Sequence, residues 1–219
     1  MKKEVPDEST KPFLSIPTAS LSDSLDRLGI RGFMSHEIRP MGRYRRIAGP
    51  AVTIKDAPTT ERIIPLLAME AIDSASLGSI IVRSVERTDA RDIGLWGGLM
   101  SQAAKVKGIQ AAVLDGACRD LIEAEQMKFP IYARSVAPTT SPGRTKVLAI
   151  NIPIECGGIT VAPGDIVVAD IDGVVVIPIQ KSAEVLKLAQ EIDKTEKAEV
   201  AELRRGRKMT DVIKKYGRI

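Results

Sequence analysis

Short apolar runs alternate with polar turns along most of this chain, and the spacing of the apolar residues separates helices from strands. Leu21, Leu25 and Leu28 fall on one face of a helix that Ser20 would cap and Gly29 would end. The same signals predict a helix at 59–78, capped by Thr59 or Thr60, and a long one at 182–205, capped by Ser182. A helix is also predicted at 121–128, after Arg119-Asp120, and a short one begins at Thr210-Asp211. Apolar or alternating runs predict strands at 48–54, 79–85, 109–114, 129–136, 147–154, 158–161, 166–171 and 174–179.

The pattern in the second half of the chain decides the fold class. Asp172-Gly173 stands between two β-branched runs, which is a strong signal for an antiparallel hairpin. A purely parallel, doubly wound sheet is therefore disfavoured, and we expect an α/β fold with mixed sheets. No internal repeat or low-complexity linker divides the chain, so we predict a single domain over 1–219, with a loose N-terminal arm at 1–14 and a C-terminal helical tail at 182–219.

The stretch 97–120 combines features that favour a binding site. Paired glycines lead into a helix with apolar positions at Leu99, Ala103 and Val106, and Gly108 ends it. A buried strand follows, then an expected polar turn at Asp115-Gly116, and then Arg119-Asp120. The free N–H groups at a helix N-terminus attract anions, and the arginine can grip a carboxylate with two hydrogen bonds. The aspartate beside it is a hard oxygen ligand suited to Mg²⁺ or Mn²⁺.

Composition and charge exclude several cellular locations and binding partners. The net charge of +4 is mild, and the chain holds no apolar run of membrane-spanning length and no signal-peptide core, so we expect a cytoplasmic protein without a membrane partner. The basic residues near the C-terminus lack interleaved aromatics, so nucleic acid is not an expected partner. These basic residues are Arg204, Arg205, Arg207, Lys208, Lys214, Lys215 and Arg218.

The counts of histidine and cysteine narrow the chemistry further. His36 is the only histidine and lies in a polar loop, so Ser-His-Asp chemistry and histidine-rich zinc sites are disfavoured, and we assign it a surface role. Cys118 and Cys156 do not form a disulfide framework. We expect Cys118 to be a buried small residue and not a nucleophile. Catalysis would then depend on carboxylates, arginine, lysine, backbone amides and a hard metal ion.

The chain resembles the RraA-like family, which includes the class II 4-hydroxy-4-methyl-2-oxoglutarate (HMG) aldolases. The resemblance is carried by LSDSLDRLG at 21–29, AGPAVTI at 48–54, the central stretch, and CGGITVAPGDIVVADIDGVVVIP at 156–178. The aldolase signature of that family is an acidic residue or glycine, twenty intervening residues, Arg-Asp, and a carboxylate three residues later. Here it corresponds to Gly98, Arg119, Asp120 and Glu123.

The resemblance implies a fold, an assembly and a chemistry. The fold would be a swivelling β/β/α-type layered sandwich, with two packed sheets flanked by helices, that assembles as a homotrimer or homohexamer. Arg119, with the backbone amides near Leu99 and Met100, would bind the carboxylate of a small, pyruvate-like 2-oxo acid substrate. Asp120 would hold a divalent metal ion, with Glu123 in its outer shell. Glu196, on the C-terminal helix, would reach the site of a neighbouring subunit.

One departure from the family pattern affects the expected activity. Aldolases of the family carry aspartate where this chain has Gly98, and loss of an acid–base group typically costs ~10²–10⁴-fold in rate. Glu123 or Glu86 could replace it, or the substrate differs. We therefore expect aldol cleavage of 4-hydroxy-2-oxo acids together with oxaloacetate decarboxylation, which needs less proton transfer.

Two alternatives stay open at the level of sequence. A lysine Schiff base at Lys105 or Lys107 would replace the metal as the means of stabilising an enolate. Other relatives of this fold act without catalysis, as RraA-type regulators that bind and inhibit an endoribonuclease. In those regulators the residue after the arginine is not aspartate, so Asp120 favours the enzyme.

Overall fold

The computed structural model describes residues 9–42, 45–86 and 88–217. Its strands are β1 (Arg39–Met41), β2 (Ile47–Pro58), β3 (Ile80–Val85), β4 (Gly94–Trp96), β5 (Ala111–Cys118), β6 (Ile131–Val136), β7 (Thr145–Ile150), β8 (Ile154–Cys156), β9 (Ile159–Val161), β10 (Ile166–Ala169) and β11 (Val174–Ile177). Its helices are α1 (Thr18–Arg27), α2 (Leu66–Ser74), α3 (Gly98–Lys107), α4 (Leu121–Gln126), α5 (Ser182–Arg204) and α6 (Met209–Tyr216). The described residues also form two short 3-10 helices, Lys11–Ser15 and Ile179–Lys181.

Besides the separate two-stranded pair β8-β9, the described strands form one nine-stranded mixed sheet. Its strand order is β1-β6-β5-β3-β2-β10-β11, with β4 beside β5 and β7 beside β2. The four central strands β2, β3, β5 and β6 are parallel. Strands β1, β7 and β10 pair with them in antiparallel orientation, and β11 pairs antiparallel with β10. The predicted hairpin at Asp172-Gly173 is confirmed by the pairing of β10 with β11, and so is the α/β class with a mixed sheet.

The core is divided into layers by this sheet. One face of the parallel strands packs against β8, β9, β10 and β11, so two portions of strand structure face each other across a shared apolar interior. The opposite face of the parallel strands packs against α2, α3 and α4. Helices α1 and α5 cover the outer side of β10 and β11. The result is the layered sandwich flanked by helices that the family resemblance implies.

Several predicted helix ends are wrong, for reasons that lie in tertiary packing. The helix expected from 59 to 78 covers only Leu66–Ser74, because Pro65 precedes its first turn and Ala75 is already extended. Thr59 instead accepts a hydrogen bond from the Glu61 amide in a turn, at 3.2 Å. Helices α1 and α5 begin without side-chain caps, so neither Ser20 nor Ser182 has the predicted capping role.

The expected turn at Asp115-Gly116 is also wrong, because these residues lie inside strand β5. Their pairing with β6 is interrupted by a bulge between Leu114 and Ala117, which accommodates a polar residue and a glycine without ending the strand. Asp115 accepts a hydrogen bond from the Gly157 amide at 2.7 Å. The predicted strand 147–154 is conversely split into β7 and β8.

The N-terminal arm is packed where the structure describes it. Residues 1–8 lie outside the described part of the chain, but Phe13 is 1% exposed and belongs to the core under α1 and α5. The C-terminal tail is helical as predicted, with Gly206 between α5 and α6, and Arg218 lies outside the described residues. None of the helices in the described ranges is long and apolar enough to cross a membrane.

Candidate active site

Two parallel strands bring the central glycine pair and the Arg119-Asp120 pair to one edge of the sheet. Strand β4 ends at Trp96, which is paired with Cys118 at the end of β5. The chain after β4 forms Gly97 and Gly98 and turns into α3, while the chain after β5 forms Arg119 and Asp120 and turns into α4. Because the carboxyl ends of parallel strands open on the same side, the two segments lie against each other.

Asp120 joins the two segments directly. Its backbone has φ +57°, a left-handed conformation that few residues other than glycine, asparagine and aspartate adopt. In this conformation its Oδ2 accepts a hydrogen bond of 2.9 Å from the Gly98 amide at the start of α3. The Nε of Arg119 lies 3.5 Å from the same Oδ2. The site is therefore built around a carboxylate held at a helix N-terminus.

The close packing of these groups requires a glycine at position 97. A Cβ placed at Gly97 would lie 2.8 Å from Asp120 Oδ2 and 3.1 Å from Arg119 Nε, so any side chain there would displace one of the two groups. A Cβ at Gly98 would meet only ordinary contacts, 3.4 Å from Asp120 Cβ and 3.7 Å from Glu123 Cβ. A Cβ can therefore be added at position 98 without displacing a neighbouring group.

The first turn of α3 supplies further hydrogen-bond donors. Its N-cap, Gly97, has no side chain, and the Ser101 amide is already bonded to the Gly97 carbonyl at 3.0 Å. The amides of Leu99 and Met100 have no partner among the described residues, as expected for the first turn of a helix. These two amides and the positive end of the helix dipole form a place for an anion next to Arg119.

Arg119 is placed to bind a ligand. Its backbone amide is fixed by a 2.9 Å hydrogen bond to the Trp96 carbonyl, whereas its side chain is 42% exposed. Its contact with Asp120, at 3.5 Å and in solvent, is too long and too exposed to hold the guanidinium rigidly. The remaining N–H groups of Arg119 stay available for a carboxylate.

A buried ion pair supports the loop that carries the glycines. Arg83 on β3 and Asp56 on β2 are both fully buried and form a bidentate pair with N···O distances of 2.9 and 2.7 Å. Thr145 donates to the same carboxylate at 2.9 Å. The remaining Nη of Arg83 donates to the carbonyl of Leu95, two residues before Gly97. Sequence reasoning missed this support, although a charged residue inside the apolar run SIIVRSV was a signal for it.

Trp96 and Ser101 hold the same loop from the helix side. The indole Nε1 donates to Ser101 Oγ at 2.9 Å, and that hydroxyl donates to the Gly97 carbonyl at 3.1 Å. The indole ring is buried and stacks on Phe129 with centroids 6.0 Å apart. The tryptophan therefore serves packing, and its hydrogen bond to Ser101 also fixes the glycine loop.

Two depressions open on either side of Asp120. One is lined by residues from the start of α2, from β4 and α3, and from the loop after β6, namely Ile64, Pro65, Met69, Gly94–Met100, Arg119, Asp120, Thr140, Ser141 and Pro142. The other is lined by Gly98, Leu99, Gln102, Asp120, Glu123, Gln126 and Met127. Arg119 faces the first depression, Glu123 faces the second, and Asp120 lies between them.

The structure does not bring every candidate residue to this place. Glu196 lies on α5 against α1, where Ser20 Oγ is 3.5 Å from its Oε2, and it lines neither depression. Glu86 is 3.4 Å from Lys55 and also lines neither. Lys105 and Lys107 lie about 10–14 Å along α3 from Gly98, given a rise of about 1.5 Å per residue. A lysine Schiff base at the glycine loop is therefore disfavoured.

The cysteines and the histidine have the roles that the sequence predicted. Cys118 is buried, and its burial raises the pKa of the thiol to about 12, so the thiolate needed for nucleophilic attack is not formed near neutral pH. Burial likewise raises the pKa of the Cys156 thiol. His36 is exposed, and its carbonyl accepts a hydrogen bond from Arg39 at 2.8 Å.

The donor set fits a magnesium-type ion and does not fit a zinc-type ion. No group of three or more histidine, cysteine or acidic side chains converges anywhere in the described ranges. Mg²⁺, however, is commonly held by one or two carboxylates and several water molecules. Asp120 is 40% exposed and keeps acceptor capacity beyond its hydrogen bond to Gly98, and Glu123 lies beside it. These two residues can hold a hydrated hard cation.

Comparison with known proteins places this chain in a family. The family model described as "RraA-like: Aldolase/RraA" matches residues 18–176. A protein of Halalkalibacterium halodurans named "Putative 4-hydroxy-4-methyl-2-oxoglutarate aldolase" is 36% identical over 178 residues, covering 81% of this chain and 80% of that protein.

Solved structures agree with this result. An uncharacterized protein from Pseudomonas syringae has a TM-score of 0.83 and 30% identity, over 95% of this chain and 98% of its own. Streptomyces coelicolor RraAS2, described as an unusual member of the RNase ES inhibitor RraA protein family, has a TM-score of 0.79 and 25% identity, over 94% of this chain and 100% of its own. Sequence and fold lead to the same conclusion, and the chain belongs to the RraA-like family.

Proposed function

We propose that this protein is a divalent-metal-dependent class II pyruvate aldolase that cleaves 4-hydroxy-2-oxo acids and also decarboxylates oxaloacetate. The observation that carries the proposal is the pairing of Asp120 and Arg119 at the N-terminus of α3, with the carboxylate 2.9 Å from the Gly98 amide. A cation ligand and a carboxylate-binding group side by side are what a 2-oxo acid needs, because its carboxylate and its 2-oxo group are adjacent.

The residues of the site have distinct roles in this reaction. Arg119 and the free amides of Leu99 and Met100 bind the substrate carboxylate and fix the plane of the 2-oxo acid. Asp120, with Glu123 in the outer shell, holds Mg²⁺ or Mn²⁺, and the bound cation supplies Lewis-acid polarisation of the 2-oxo carbonyl. Aldol cleavage then needs one proton removed from the C4 hydroxyl and one delivered to C3, whereas decarboxylation needs only the second.

We propose that the protein acts in the cytoplasm as a homotrimer or homohexamer. The family resemblance implies that Glu196 acts on the site of a neighbouring subunit in such an assembly, and in its own chain it lines neither depression. The alternative function is a non-catalytic RraA-type regulator of an endoribonuclease. Asp120 favours the enzyme, because a regulator has no need for a metal-ligating carboxylate held in a left-handed conformation.

A strict metal requirement is the direct test of the proposal. Exhaustive treatment with EDTA should abolish pyruvate release from 4-hydroxy-2-oxo acids and oxaloacetate, and Mg²⁺ or Mn²⁺ should restore it. Full activity after chelation would contradict the metal mechanism. Borohydride reduction in the presence of substrate tests the lysine alternative. Only a Schiff base at Lys105 or Lys107 would give a stable covalent adduct. Absence of pyruvate release with metal, together with inhibition of an endoribonuclease, would support the regulator.

The glycine at position 98 predicts a skewed activity profile. The unmodified protein should have a higher kcat/KM for oxaloacetate decarboxylation than for aldol cleavage, because it lacks a side-chain acid–base group there. Gly98→Asp should raise aldol cleavage by about 10²-fold relative to decarboxylation, in line with the usual contribution of such a group. A Cβ at position 98 makes only ordinary contacts, and a first-turn aspartate suits the helix dipole.

Gly98→Asn is the matched control for this variant, since it has the same shape and cannot transfer the proton. Both kcat/KM values are measured for each protein. An equal gain in the asparagine variant, or an unchanged ratio in a folded aspartate variant, would show that proton transfer does not depend on this position.

A further inference from the structure

The two depressions beside Asp120 differ in the chemistry of their walls. The one that contains Arg119 has a volume of about 280 Å³ and is lined mainly by apolar side chains. These side chains are Ile64, Pro65, Met69, Leu95, Trp96, Leu99 and Met100. Several of them are open to solvent, with Leu99 at 90% and Ile64 at 63% exposure. Such a wall gains free energy when an apolar group covers it.

Within this chain, the described residues that line the two depressions offer a single cation to a substrate carboxylate. Among the described residues that line the apolar depression, Arg119 is the one cation, and the proposed function already assigns it to the carboxylate next to the 2-oxo group. The other depression is lined by Leu99 and Met127 as well as by polar side chains, and the carboxylate of Glu123 repels an anion there. Arg144 is close in sequence, but it lies outside both linings and is exposed, and its Nη1 donates to the Thr140 carbonyl at 3.2 Å.

We propose that the substrate is a monocarboxylic 4-hydroxy-2-oxo acid with an aliphatic tail, and that the tail lies on the wall formed by Ile64, Met69 and Leu99. This inference rests on the proposed function and names its substrate class. The depression is continuous with the catalytic groups, since Gly98 and Asp120 also line it. A dicarboxylic substrate such as 4-hydroxy-4-methyl-2-oxoglutarate would place its second carboxylate against an apolar wall without a cation, which is unfavourable.

The reaction with such a substrate is balanced without any further reagent. The C3–C4 bond breaks, the hydroxyl proton at C4 leaves to a base, and C4 becomes the carbonyl carbon of an aliphatic aldehyde. The electron pair of the broken bond passes to the pyruvate enolate, which takes up a proton at C3. The products are pyruvate and an aldehyde whose chain length is set by the apolar wall.

A substrate series on the unmodified protein tests the inference. With Mg²⁺ present, pyruvate release is measured for 4-hydroxy-2-oxopentanoate, 4-hydroxy-2-oxohexanoate, 4-hydroxy-2-oxoheptanoate and 4-hydroxy-4-methyl-2-oxoglutarate. We expect kcat/KM to rise about fourfold with each added methylene, the factor that corresponds to burial of one CH₂ group. We also expect the seven-carbon substrate to exceed the dicarboxylic one by at least tenfold.

Met69 offers a variant that should reverse this preference. Met69→Lys places a cation on the apolar wall, and it should raise kcat/KM for the dicarboxylic substrate at least tenfold relative to the seven-carbon substrate. Met69→Gln is the matched control, because it is polar and of similar length but carries no charge. It should weaken the dependence on tail length without creating a preference for the second carboxylate.

The outcomes separate this inference from the function on which it rests. If no substrate releases pyruvate, oxaloacetate included, then the proposed function fails. If pyruvate is released but kcat/KM is independent of tail length or higher for the dicarboxylic substrate, then only the substrate class is wrong. A change in oligomeric size on chromatography of Met69→Lys, with no change in substrate preference, would show that a second copy of the chain covers this wall and would also overturn the inference.

Discussion

Replacing Asp120 by asparagine should lower pyruvate release by at least about 10³-fold, because the loss of Lewis-acid assistance costs several kcal/mol. The substitution removes one negative charge and leaves the shape of the side chain unchanged. Asparagine tolerates the left-handed backbone conformation of φ +57°. Its amide oxygen can also accept the hydrogen bond from Gly98 that Oδ2 accepts in this structure. The variant therefore tests the charge of the side chain while the backbone conformation and the hydrogen bond from Gly98 are kept.

Three further measurements on Asp120→Asn show whether the lost activity results from lost metal binding. The melting temperature should stay close to that of the unmodified protein, the affinity for Mn²⁺ should fall, and excess metal should not restore activity. Glu125→Gln is the control on the same helix, since Glu125 is exposed, faces Gly42 and lines neither depression. A folded Asp120→Asn protein with normal metal affinity and normal turnover would rule out Asp120 as the cation ligand.

The central part of the site could be predicted from sequence because its determinants are local. Gly97 to Asp120 is one glycine loop, one helix and one strand, and the parallel order of such a unit fixes where its two loops meet. Gly108 ended the helix as expected, with φ +79°. The position of Arg119 directly after a buried strand was sufficient to place it at the edge of the sheet where the glycine loop lies.

Other features depend on contacts that no local pattern records. Asp115-Gly116 has the composition of a turn, yet neighbouring strands on both sides keep it in β5, and Asp115 is stabilised there by the Gly157 amide and by an ion pair with Arg134. The ends of α2 were missed because packing of Ala68, Ala71 and Ile72, more than capping chemistry, decides which residues stay helical.

The apolar wall of the site could not be predicted from the sequence, for a related reason. Its residues come from segments around 64–69, 94–100 and 140–142, and each segment by itself is an ordinary loop, strand or helix. Only the sheet order, with β4 beside β5 and β7 beside β2, brings these segments around Arg119. The buried pair of Arg83 and Asp56 likewise joins residues 27 positions apart.

Arg119→Lys should lower activity without lowering the stability of the fold. Because lysine keeps the positive charge, the variant tests the geometry of carboxylate binding. A guanidinium can grip a planar carboxylate with two parallel hydrogen bonds, whereas the compact ammonium of lysine cannot. The lost contact should cost on the order of 1.5–3 kcal/mol, or roughly tenfold to over a hundredfold in kcat/KM.

The melting temperature decides whether this loss reports binding or folding. Arg119 contributes little to the folded state here, because its side chain is 42% exposed and its contact with Asp120 is 3.5 Å long. Its fixed part is the backbone amide bonded to the Trp96 carbonyl, which lysine retains. We therefore expect a melting temperature within about 1–2 °C of the unmodified protein, as is usual for surface substitutions. A protein that melts much earlier but binds pyruvate normally would instead show that Arg119 holds the loop, and the carboxylate would have to be bound by the amides of α3 alone.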